Sequence, residues 1–150
     1  MALDAESEAI GSLLLDRGAL TAEQLDAAED LAEDWNVSLV KVLLSRRWLT
    51  TQTLYREIAL YHGLTLVDLI EDRADDDLIR RYDPVVMNQF MTVPIGRAED
   101  GTLTVATSRP GPRTLLHIRE VYGTGVTIVV ASHFDVSWQL QRAFREKHSH

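Results

Sequence analysis

The chain has 150 residues and a mass of 16.9 kDa; it is 45% hydrophobic and 25% charged, with no cysteine and a formal net charge of -8. That apolar fraction excludes a disordered tail, and the length suits one ordinary domain or two small ones. The missing cysteines exclude a disulfide framework, a thiolate zinc site, an iron–sulfur cluster and a cysteine nucleophile.

Residues up to about 62 carry helical periodicity. Leu13, Leu14 and Leu15 end a first helix that Gly18 stops. Thr21 to Asp34 is a second, with Leu25, Ala28 and Leu31 on one face. Val37 to Ser45 is a third, and Thr51 to His62 a fourth, with Leu54, Ile58 and Tyr61 at helical spacing. From Leu64 the period changes. Thr65 to Val67 is a short extended run, and Pro84 to Phe90 a short helix capped by Asp83. Met91 to Ile95, Thr102 to Thr107 and Val126 to Val130 are strands, the first two joined at a hairpin signal, Asp100-Gly101. Arg113 to Tyr122 is a helix ended by Gly123, and Ser132 to Glu146 the last.

The expected fold is α+β. A four-helix unit of two tandem helical hairpins (1–67) is followed by an acidic connector (68–77). A small three-stranded α/β sandwich (78–150), with two to three helices, completes the chain. Charge follows this division. Residues 1–77 hold 17 acidic against 6 basic side chains, and the rest hold 6 against 9. So acidic a first half repels phosphates and argues against nucleic acid as a partner.

The helical half contains a repeat. The segment from Leu14 to Thr21, with Leu25, aligns with Leu43 to Thr50, with Leu54, at an offset of 29 residues. In copy one Thr21 can cap the second helix with Gln24 as its capping-box partner, and Leu20 with Leu25 forms a hydrophobic staple. Leu49, Thr50 and Leu54 repeat this in copy two.

This tandem arrangement, then Tyr61-His62-Gly63-Leu64 and Leu66-Val67-Asp68-Leu69, then an α+β unit, resembles the N-terminal domain of type II secretion and type IV pilus assembly ATPases. The resemblance runs from about Ile10 to Phe144. Such domains also occur fused to membrane glycosyltransferases. The resemblance implies a non-catalytic regulatory and protein-interaction domain. It would couple a motor ATPase or a membrane glycosyltransferase to its membrane complex, in the cytoplasm or at the inner membrane face through a partner. The implied partner is a protein of a secretion, pilus or polysaccharide export machine, with membrane contact only through that partner or a fused domain.

One branch of the family binds cyclic di-GMP through a tandem Arg-Leu-Gly, corner-Gly, leucine-ladder and Gln motif. Ile10, Gly11, Leu14 and Gly18 keep its pattern in copy one, and Leu39 and Leu43 in copy two. Ala9 and Ser38 stand where the motif has arginine, Ala32 and Tyr61 where it has glutamine, Val40 for a glycine, and Arg47 for the corner glycine. Each lost charge-assisted contact costs about 1.5–3 kcal/mol, so the expectation is no cofactor. The competing reading is a cyclic di-GMP sensor with altered contacts, using Arg17, Arg46, Arg47 or Arg109.

Other candidates have plain alternatives. No phosphate-loop sequence occurs, and no apolar run reaches the ~18–20 residues of a membrane span. The Met1 to Glu6 segment lacks the pattern of a signal peptide. Ser132-His133-x-Asp135 has hydrolase residue types, but helix capping by Ser132 accounts for it. His117 with Glu120 would be two metal ligands without a third, and Asp75-Asp76-Asp77 a solvated linker with a helix cap. No catalytic or metal-binding residue is expected, and the chain is read as not an enzyme. Arg46, Arg47 and Trp48, with Arg56 in the next helix, form the dense basic spot of the acidic half. Trp35 falls at the turn between hairpins. The basic spot is either a docking patch for a partner or a solvated corner.

Overall fold

Helix starts and stops in the first unit follow from capping chemistry. The computed structural model describes residues 5–71 and 74–145, with side chains from Glu8 onward. Helix α1 spans Ala5–Asp16, α2 Ala22–Trp35, α3 Leu39–Ser45 and α4 Thr51–Tyr61. Gln24 N–H donates to Thr21 Oγ1 at 3.1 Å while Thr21 N–H donates to Gln24 Oε1 at 3.1 Å, completing the capping box. Thr53 N–H donates to Thr50 Oγ1 at the same distance in the second hairpin. Leu14, Ala28, Leu39, Leu43 and Leu54 form the fully buried centre of the unit.

The chain divides between Tyr61 and His62, not at the expected 67/68. The physical reason is strand pairing. Val130 N–H donates to Thr65 C=O and Val67 N–H to Val130 C=O, both at 2.8 Å, so the short extended run belongs to the second unit.

That unit holds α5 (Asp76–Ile79), α6 (Pro84–Phe90), β1 (Thr92–Arg97), β2 (Leu103–Thr107), α7 (Pro112–Tyr122), β3 (Thr127–Val130) and α8 (His133–Arg145). The sheet order is β1-β2-β3. β1 and β2 are antiparallel, while β2 and β3 are parallel across α7. Alternation along β2 sends Ala106 to one face, with Val93, Val129, Met87, Val136 and Leu140. It sends Leu103 and Val105 to the other, with Ile118 and Tyr122. The α+β class and the three-stranded sandwich are as expected. The Asp100-Gly101 hairpin is longer than a two-residue turn: Ala98 N–H donates to Thr102 C=O at 2.8 Å, and Gly101 takes a φ of +87°. Burial pushes the Tyr122 phenol up to about 12, marking it as a core group.

The expected acidic connector is docked in the second unit. Its residues Asp72 and Arg73, like Met1 to Asp4 and Glu146 at the expected end of the last helix, lie outside the described residues. The Gln139 side-chain amide, wholly buried on α8, donates to Leu69 C=O at 2.7 Å and accepts from Ala74 N–H at 3.3 Å. Leu69 N–H donates to Asp135 Oδ2 at 3.1 Å. Arg142, 9% exposed, donates to Gln139 and pairs with Asp76. Asp75 caps α5, as the cap reading of the acidic run expected, and α5 brings the helices of this unit to four among the described residues, rather than two to three. With the segment reassigned, residues 1–61 hold 11 acidic against 5 basic side chains and residues 62–150 hold 12 against 10.

Candidate functional site

The two hairpin corners are built alike. At the end of α1, Gly18 N–H donates to Leu15 C=O at 3.1 Å and Ala19 N–H to Leu14 C=O at 2.9 Å. At the end of α3, Arg47 N–H donates to Leu44 C=O at 3.1 Å and Trp48 N–H to Leu43 C=O at 3.3 Å. Both are Schellman corners, which need a left-handed residue at the turn. Gly18 supplies it at φ +72°, and Arg47 at φ +59°. Glycine adopts that conformation freely, whereas a residue with a Cβ is strained there. Arg47 therefore takes the place of a corner glycine in geometry as well as in alignment.

Several of the remaining motif positions pack the core or cap a helix. Leu14, Leu39 and Leu43 are fully buried and Ile10 is half-buried. Gly11 is buried where a Cβ would stand 3.0 Å from Leu25 Cδ1 and 3.4 Å from Leu39 Cδ2, so it gives room for helix packing. Ser38, at a motif arginine position, caps α3 by accepting from Lys41 N–H at 3.1 Å. Ala32, at a glutamine position, is 2% exposed, and Ala9 is a solvent-facing residue of α1. Of the arginines offered as substitutes, Arg17 pairs with Glu57, and Arg109 donates to Gln89 C=O at 3.5 Å.

Arg46 and Arg47 are exposed and Trp48 is half-buried at the corner. Arg56 is exposed on α4. The structure joins Arg46 to a different tryptophan. Its guanidinium carbon lies 5.6 Å from the ring centre of Trp35, which is 52% exposed. Sequence reading placed Trp35 at the inter-hairpin turn but did not pair it with Arg46, because no short-range spacing signals an eleven-residue separation. Asn36 closes that turn at φ +53° and sets where the indole emerges. Along α2 the surface is acidic. Burial, then Asp26, Glu8, Asp30 and Glu33, raise the Glu29 carboxyl above the ordinary glutamate value.

The other sequence candidates either make local structural contacts or face solvent. Ser132 Oγ accepts from Asp135 N–H at 3.1 Å, and Asp135 is turned to Leu69, while His133 is exposed. His117 stacks on Phe90 with ring centres 3.8 Å apart, and Glu120 is exposed. Among the described residues no three His, Cys, Asp or Glu side chains converge on a possible metal position, and no helix is long and apolar enough to cross a membrane.

Comparisons with known proteins match this architecture. The family model of the MshEN domain matches residues 62–150, more than half of the chain. No curated protein matches. A solved structure of MshE with cdg (cyclic di-GMP) superposes with a TM-score of 0.73 at 23% identity, covering 90% of this chain and 98% of that one. The N-terminal domain of XpsE superposes at 0.68 with 20% identity over 95% of this chain and 98% of that one. In a second crystal form the score is 0.54 at 21% identity. At these identities the superpositions establish the fold, and the family model establishes membership. The resemblance seen in the sequence was carried mainly by the tandem hairpins, whereas the family match lies on the α+β unit. From both sides, the chain belongs to the MshEN domain family and has the fold of the N-terminal domains of MshE and XpsE.

Proposed function

We propose that this chain is a non-catalytic interaction and regulatory domain of a secretion, pilus or polysaccharide export machine. It would link a motor ATPase or a membrane glycosyltransferase to its membrane complex from the cytoplasmic side. The observation that carries this reading is family membership over residues 62–150, combined with the fold of the XpsE N-terminal domain over 95% of the chain. In support, Ser132 and Asp135 accept from backbone N–H groups and His117 stacks on Phe90. Affinity purification of the chain from its native cells, with deletion of its gene in parallel, tests the reading. A co-purifying machine component and impaired export are expected. No bound protein together with full export would reject it.

A second reading, a cyclic di-GMP sensor, is favoured by the likeness to MshE with cdg. Against it stand the motif positions themselves. Ser38 is spent on a cap and Ala32 on the core, and neither can replace the arginine or glutamine that would hold guanine and phosphate. Calorimetry with cyclic di-GMP separates the two. Absence of heat at high micromolar ligand is the expected result, and a saturable isotherm would favour the sensor.

A further inference from the structure

The corner of the second hairpin carries a feature that helix packing does not require. Residues 1–61 contain only five Lys and Arg side chains, and two of them, Arg46 and Arg47, are adjacent and exposed. Arg46 lies over an indole that is itself half exposed, which holds the guanidinium beside an apolar face. Arg47 sits in a left-handed conformation that copy one gives to Gly18. A strained cation where glycine would be easier is an outlier that points to use rather than to stability.

We propose that Trp35, Arg46 and Arg47 form a docking surface for a short acidic segment of a protein partner, with carboxylates at the two guanidiniums and an apolar side chain against the indole. This deepens the interaction-domain reading above and rests on it. Charge complementarity selects the occupant. The arginines call for carboxylates, but the acidic face of α2, with Asp30, Glu33 and Asp34 leading up to Trp35, repels any broadly anionic surface. A nucleic acid or an anionic bilayer would carry charge across that face, whereas a short peptide places its carboxylates at the arginines alone. Trp and Arg are also the residue types that dominate interface energetics.

The test uses the full chain and a fluorescently labelled short peptide of glutamates flanking a leucine, with its glutamine counterpart as control. The acidic peptide is expected to bind, to weaken with added salt, and to lose about tenfold in affinity in Arg46→Ala and in Arg47→Gly. Trp35→Ala should weaken it also, while Arg113→Ala on the other unit should not. Arg47→Gly guards against misfolding, because glycine suits that backbone better than arginine. Several results would overturn the proposal: no binding, equal binding of the glutamine peptide, or unchanged affinity in the arginine variants. Binding of phosphatidylglycerol vesicles or cyclic di-GMP, but not of the peptide, through the same arginines would overturn it too. Any of these leaves the interaction-domain reading standing if the chain still co-purifies with machine components. A chain that co-purifies with no protein rejects that reading whatever the peptide does.

Discussion

Two glycines and one arginine carry the residue-scale account. Gly18 and Gly11 look alike in the sequence, both falling on motif positions, yet they answer different constraints: Gly18 a positive φ, and Gly11 lack of room. Arg47 shares the constraint of Gly18 without the means to meet it cheaply. Arg47→Gly is therefore expected to stabilise the protein by about 0.5–1 kcal/mol, read as a higher urea midpoint with an unchanged slope. At Gly11, alanine gains about 1 kcal/mol of helix propensity and loses a similar amount by crowding Leu25, so Gly11→Ala should be near neutral. Gly11→Leu has no such offset and should cost about 1–3 kcal/mol. If Gly11→Leu were tolerated, the packing role assigned to this glycine would be wrong.

At the scale of elements, the hairpins differ in how completely they are capped. Thr21 takes part in a reciprocal box, whereas Thr50 accepts from Thr53 N–H and donates its hydroxyl to Thr53 Oγ1 at 2.9 Å. Thr21→Ala should cost about 1–2 kcal/mol and Thr50→Ala about 1 kcal/mol, measured by denaturant titration. Helix α2 also carries a pH signature. The folded-state pKa of Glu29 is raised by burial and by its acidic neighbours, so the native protein binds the proton more readily than the unfolded chain. Stability should therefore rise as pH falls from neutral towards the ordinary glutamate value, then level off once both states are protonated. Glu29→Gln should flatten that slope and gain a few tenths of a kcal/mol at neutral pH, about the size of a like-charge helical pair. A steeper slope in the variant would refute this assignment. The hairpin caps were legible in the sequence because caps and staples act within four residues, whereas the burial of Glu29 and its approach to Glu8 were not.

For the molecule as a whole, the decisive contacts are distant in sequence. Gln139 and Arg142 lie on α8 among exposed residues such as Gln141 and Arg145, yet both are buried. Their partners, Leu69, Ala74 and Asp76, lie in the run whose acidity suggested a linker. Gln139→Leu keeps the volume but strands a buried carbonyl at Leu69 and a buried N–H at Ala74. It should cost about 3 kcal/mol by thermal or denaturant unfolding. A change below 1 kcal/mol would mean that the segment is not held by this amide. Composition had assigned the segment to solvent because an acidic run is usually hydrated; the arginine and glutamine that pair with it were out of range of any local rule.

The sequence by itself determined the α+β class, the two units, the tandem repeat and most helix ends. These depend on periodicity and on capping between residues three or four apart, and short-range chemistry is written locally. Only the tertiary structure decided that the division falls at Tyr61/His62, that the acidic segment is clamped on α8, that Gly11 makes room for two leucines, and that Arg46 lies over Trp35. Each of these depends on groups that meet only after the chain has folded, so packing and burial, not spacing, set their roles.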